Sequence, residues 1–105
     1  MPIADLEDLR IDGDDLVFGP DGEPVMVRGL AVVEQDIRHA LRESGLIQSL
    51  KGARPADLVL FIPRILRVVE DDPRVRPGTA KWQDADAGLR ITATTMEHQA
   101  LTVTI

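Results

Sequence analysis

The chain contains no cysteine, which excludes disulfide cross-links, thiolate metal sites and redox chemistry at sulfur. Tyrosine is absent as well, and two Phe and one Trp supply all the aromatic residues, too few for a base-stacking platform. No apolar run approaches the roughly 20 residues that a membrane-spanning helix needs; the longest covers residues 58–63. The opening MPIADLEDLR lacks the basic start of an export signal, so synthesis in the cytoplasm without export is the expectation. Metalloprotease, Walker-type and dinucleotide-glycine patterns are missing, and the eight glycines fall at predicted turns. His39 sits at a helix edge and His98 in a turn, while Ser44 and Ser49 lack the strand–turn–helix setting of a nucleophile elbow. Asp12-Gly13-Asp14-Asp15 lacks the spacing of a calcium loop and reads as a turn. These absences predict a protein with no catalytic residue, cofactor or metal, and therefore not an enzyme.

What is present suffices for one core. A length of 105 residues, 44% apolar and 29% charged, is globular composition for a single domain. The net charge is −6 and unevenly spread: residues 1–24 hold eight acids against Arg10 alone. Residues 25–76 hold nine basic and seven acidic side chains. The overall field repels a phosphate backbone, whereas a protein partner can meet the acidic arm and the mildly basic middle separately. A nucleic-acid-binding module using Arg38, Arg42, Lys51, Arg54, Arg64, Arg67, Arg74 and Arg76 is the lesser alternative, since acids intersperse them.

Periodicity orders the elements. Residues 1–15 read as an acidic N-terminal lead-in with one short strand over 8–11, Leu9 and Ile11 facing inward. Leu16-Val17-Phe18 and Val25-Met26-Val27-Arg28 flank GPDGEP and predict a β-hairpin that buries Leu16, Phe18, Val25 and Val27. After Gly29 a helical stripe runs through Leu30, Val33, Ile37, Ala40 and Leu41 to Gly45, the expected C′ residue. The link SGLIQSLKGAR carries Leu46, Ile47 and Leu50, too apolar to stand in solvent, so it covers a core edge or meets a partner. A second stripe, Leu58, Ile62, Ile65, Leu66 and Val69, crosses Pro63, where an interior proline costs about 3 kcal/mol and a break between two short helices is preferred. Glu70, Asp71 and Asp72 oppose the helix dipole there and call for Arg74, Arg76 or a basic partner. Strands follow over 79–84 and 89–96, with a turn at 84–88 between them, and over 101–105. The expected fold is α+β: a two-layer domain at 16–105, with a small mixed or antiparallel sheet covered on one face by two helices. The last strand holds no proline, lysine or other charge within 100–105, so its edge is expected either to pair with another chain or to be covered internally.

Three segments together, GEPVMVRGLAVVEQDIRHAL, LFIPRILRVVEDDPRV and GLRITATTMEHQALTVTI, resemble the small baseplate wedge proteins of contractile phage tails, the family that includes sheath initiators. The likeness spans residues 16–105. Gln35 falls at that family's helix glutamine, and Asp72-Pro73-Arg74 resembles its Glu-Pro-Arg motif with the acid one methylene shorter. SGLIQSLKGARP departs from the pattern, and the first 15 residues lie outside it. The resemblance implies a structural, non-enzymatic virion component made in the host cytoplasm. It would stand in six copies around the tail tube protein, attach to wedge proteins and start the sheath. Isolated, it would be a monomer or weak oligomer. Leu101, Thr102, Val103, Thr104 and Ile105 would accept an arm of the tail sheath protein by β-augmentation. Arg74 would anchor the wedge contact, with Pro73 as spacer and Asp72 fixing the guanidinium, so that Arg74→Ala would impair wedge assembly and spare the fold. Neither nucleic acid nor membrane is an expected partner. An adaptor of some other protein assembly is the alternative.

Overall fold

The computed structural model of the chain describes residues 1–13, 15–85 and 88–105. Two long helices carry the apolar stripes. In α1 (Leu30–Glu43), Val33, Ile37 and Leu41 are buried as their spacing requires. Val32 and Gln35 are buried as well, whereas Ala40 is exposed. The buried face is thus wider than one stripe, because α1 is flanked by two helices, two strands and the N-terminal segment. Gly29, with φ 62°, turns the chain from strand into α1 in a backbone conformation that a side chain would strain.

The link after α1 is itself helical: α2 (Leu46–Lys51) lays Leu46, Ile47 and Leu50 against the core. A 3-10 turn at Pro55–Asp57 then leads into α3 (Leu58–Glu70), which buries Ile62, Ile65 and Val69. The expected break at Pro63 does not occur; Pro63 lies inside one continuous helix. The physical reason lies in the exposed side of α3. The carbonyl that Pro63 deprives of a donor belongs to Val59, four residues earlier and 70% exposed, so water can satisfy it. Packing of three buried side chains then outweighs the local cost.

Among the described residues the strands form three antiparallel sheets rather than one. The largest contains β5 (Lys81–Ala85), β6 (Gly88–Thr94) and β7 (Ala100–Thr104), ordered β5-β6-β7. Register pairs such as Ile91↔Val103 and Ala93↔Leu101 place Leu89, Ile91, Ala93, Leu101 and Val103 on one buried face, against the helices. Trp82, opposite Ile91, points the same way but is 45% exposed at the sheet's edge. The turn expected between these strands rests on Asp86 and Ala87, outside the described residues; Asp84 and Ala85 belong to β5. Helices over one face of an antiparallel sheet make the α+β fold expected from the sequence.

The N-terminal third folds differently from expectation. β1 (Glu7–Leu9) pairs with β4 (Met26–Arg28), and β2 (Ile11–Asp12) pairs with β3 (Asp15–Leu16). Phe18 bridges Pro24, closing the hairpin. The three segments meet in a ring of backbone hydrogen bonds. Arg10 donates to the Val25 carbonyl at 2.8 Å, Val25 to that of Val17 at 2.8 Å, and Val17 to that of Arg10 at 3.1 Å. Leu16 and Phe18 are not buried but 43% and 58% exposed, and Leu9 is also exposed, because this junction extends from the core and presents that face outward. Ile3, by contrast, sits in the main core at 2% exposure and ties the acidic lead-in to the domain.

Candidate docking corner and open strand edge

The corner after α3 is built by its own side chains. Arg74 donates from its backbone N–H and its Nε to Asp72 Oδ1, both at 2.9 Å. Its Nη2 donates to Asp72 Oδ2 at 2.7 Å and to Asp36 Oδ2 at 3.0 Å. Pro73 separates the partners and holds φ within a narrow range, so the guanidinium meets the carboxylate as a two-pronged fork. Burial pushes the Asp72 carboxyl up, but the Arg74 side-chain and backbone hydrogen bonds and its charge outweigh that and hold it below the ordinary value. The Arg74 guanidinium is raised above the usual arginine range, chiefly by the hydrogen bond to Asp72 and, against partial burial, by Asp36.

The same corner is stitched to the sheet. The Arg74 carbonyl accepts from Met96 N–H and Arg76 N–H donates to the Thr94 carbonyl, each at 2.8 Å, while Val75 is buried opposite Thr95. Glu70, one of the three acids opposing the helix dipole, accepts from the N–H groups of Gly78 at 2.7 Å and Ala80 at 3.2 Å. Two of these acids are therefore used internally, Asp72 by Arg74 and Glu70 by backbone donors, while Asp71 is exposed.

Three consecutive residues of α1 organise the rest. Glu34 Oε2 accepts from the Thr102 N–H of β7 at 2.8 Å. Gln35, 5% exposed, donates from Nε2 to the Leu9 carbonyl at 2.8 Å and accepts from the Ile11 N–H at 3.0 Å. Asp36 takes Arg74. Successive helical residues point about 100° apart, so one turn of α1 reaches the sheet edge, the lead-in and the corner. Sequence reasoning singled out Gln35 and missed the roles of Glu34 and Asp36; the adjacent polar triplet Glu34-Gln35-Asp36 inside an apolar stripe was the available signal.

β7 is an edge strand among the described residues. Leu89 and Ile105 exchange both backbone hydrogen bonds at 2.9 Å, and antiparallel alternation then directs Leu101, Val103 and Ile105 toward β6 with their backbone groups. Ala100, Thr102 and Thr104 direct theirs outward. Leu101 and Val103 are buried, Thr102 and Thr104 are exposed, and Ile105 is half-buried. The outer edge of β7 and the Asp72–Arg74 corner are both reached from α1, through Glu34 and Asp36. The basic residues are dispersed: Arg74 is tied to two carboxylates, Arg54 to Asp57 at 3.2 Å, and Arg42 to the Gly13 carbonyl.

Comparison with known proteins adds two findings. The family model DUF2590, described as a protein of unknown function, matches residues 7–104. An uncharacterized 12.7 kDa protein in the lys 3' region of Haemophilus phage HP1 is 35% identical over 99 residues, covering 90% of this chain and 86% of the relative. No solved structure matches the chain.

Proposed function

This chain belongs to the DUF2590 family and is a phage-associated protein, and on that footing we propose that it is a structural component of a contractile tail baseplate. In this reading it attaches to wedge proteins around the tail tube protein and gives the first ring of sheath subunits a sheet edge to join. The supporting observation is β7: a regular strand, anchored by Leu101 and Val103 in the core, whose outer backbone groups at Ala100, Thr102 and Thr104 face away from β6. An arm of the tail sheath protein adding there would gain main-chain hydrogen bonds without disturbing the core. Glu34 would release the Thr102 N–H as the incoming carbonyl replaced it.

The Asp72-Pro73-Arg74 corner, carried by the resemblance to baseplate wedge proteins, serves this reading as a preformed shape rather than as an unpaired charge. With Arg74 committed to Asp72 and Asp36, the surface a wedge protein would meet is the exposed Pro73 and the rigid turn around it. Six copies would be ordered by the tube and wedges, and the isolated chain would be a monomer or weak oligomer. The test is seeding. Purified protein mixed with sheath subunits and tail tubes should start ordered sheath at one end of each tube, and a variant with Thr102→Pro, which blocks the outward N–H, should not. Sheath growth that is indifferent to the protein would end the proposal.

A further inference from the structure

The solvent side of α3 is unlike that of an ordinary surface helix. Leu60, Pro63, Arg64 and Arg67 stand at positions i, i+3, i+4 and i+7, so they line one stripe, and Val59 joins it one turn before Pro63. All five are exposed, Val59 at 70% and Leu60 at 60%. The stripe lies across the helix from the one that packs Ile62, Ile65 and Val69 into the core. Scattered exposed apolar residues need no explanation. Three together on the outer face of one helix, where polar side chains are the rule, mark an interaction surface.

The charges on the same stripe indicate the occupant. Arg64 and Arg67 are the only charged residues from Leu58 to Val69, in a chain of net charge −6. Among the described residues neither guanidinium has a hydrogen bond or an ion pair. Arg28, Arg54 and Arg74, by contrast, are each matched to a carboxylate. Beyond Arg67 the stripe opens into a groove of about 500 Å³ between Pro63, Leu66 and Pro77. The acids stand at its far end, where Glu70 already accepts from Gly78 and Ala80 and Asp71 is exposed. Two arginines thus present unclaimed donors beside an apolar strip. A second copy cannot answer them with the same stripe, which holds no carboxylate. Nucleic acid would find no aromatic to stack on, and an anionic membrane would meet two cations on a chain whose net charge it repels.

We propose that this stripe of α3 docks an acidic amphipathic segment of another protein, with leucine-type side chains on Val59, Leu60 and Pro63 and Asp or Glu carboxylates on Arg64 and Arg67. Each guanidinium can hold a carboxylate through two parallel N–H bonds, and its aliphatic stem extends the apolar contact. Opposite charge on the segment also selects it over basic competitors. The proposal does not depend on the baseplate reading, which uses β7 and the exposed Pro73.

The probes are two amphipathic peptides of equal length, one of leucine and glutamate and one of leucine and lysine, titrated against the full chain with amide shifts followed by NMR. The leucine–glutamate peptide should bind, with shifts centred on residues 59–71 and affinity falling as salt rises. Leu60→Ser should weaken it about tenfold, while Phe18→Ser, at a comparably exposed apolar site on the N-terminal hairpin, should not. Arg64→Glu together with Arg67→Glu should reverse the preference, so that the leucine–lysine peptide binds the more tightly. These positions face solvent, so thermal melts of the variants should match the parent within a few degrees. Binding of neither peptide, equal binding of both, shifts centred elsewhere, or an unchanged preference in the double variant would overturn the proposal. So would self-association of the parent that the double variant abolishes, or adsorption of this stripe to phosphatidylglycerol vesicles.

Discussion

Replacing Arg74 by Ala tests whether the acidic-Pro-Arg corner is held from inside. The substitution removes three side-chain hydrogen bonds and leaves the Asp72 carboxylate, whose side chain is 13% exposed, without its counter-charge. Charge-assisted bonds contribute about 1.5–3 kcal/mol each in favourable settings, and orphaning a fully buried ion-pair partner costs about 3–5 kcal/mol. Arg74 itself is 30% exposed and Asp36 39%, so water can recover part of the loss. The expected destabilisation is about 2–3 kcal/mol, a fall in Tm on the order of 10–20 °C for a domain of this size. Urea unfolding at neutral pH should show a lower midpoint with an unchanged slope. Acid adds an independent check. The folded-state carboxyl of Asp72 lies below its unfolded value of about 3.9, so its contribution is present above that pH and is lost as pH falls through the depressed folded value. Arg74→Ala should flatten that acid limb. A loss under about 0.5 kcal/mol, or an acid limb identical to the parent's, would refute the internal clamp. It also follows that a failed wedge assembly in this variant would not by itself report a lost contact, since the fold is weakened too.

Other perturbations probe the remaining joints. Gln35→Leu leaves the Leu9 carbonyl and Ile11 N–H without their side-chain partner and should cost about 1–3 kcal/mol, with faster amide exchange confined to residues 7–12. Glu34→Gln should change stability by less than about 1 kcal/mol while accelerating exchange of the Thr102 amide; unaltered exchange would show that the carboxylate does not guard that edge. At Gly88 an added Cβ would collide with the Ile105 carbonyl oxygen, so Gly88→Ala must displace the chain end beyond β7 and should destabilise by about 1–3 kcal/mol in thermal melts. Leu41→Ala, at a fully buried site, should cost about 2–5 kcal/mol.

The α+β architecture was legible because α1 and α3 follow the helical period and β6 and β7 follow the strand period closely. Faces were less legible. Leu16 and Phe18 alternate as a buried strand should, but alternation says that two faces differ and not which one meets the core. Pro63 was misread because its cost was set against local helix propensity alone, without the exposed position of Val59 one turn earlier or the buried Ile62, Ile65 and Val69. α2 was hidden by its brevity, six residues with only Leu46, Ile47 and Leu50 to mark it. Ile3 gave no periodic signal in an acidic segment, and its burial depends on contacts that no local pattern encodes. At the corner, the link from Arg74 to Asp72 could be anticipated from proximity in the chain. The link to Asp36 spans 38 positions and emerges only once α1 packs beside α3.

An electron cryomicroscopy map of the tail of a phage that carries this protein tests the assignment most directly. The account predicts a ring of copies around the tube at the first sheath layer, each with a sheath strand beside Ala100–Thr104. A particle without the protein, or one in which that strand faces only solvent, would contradict it.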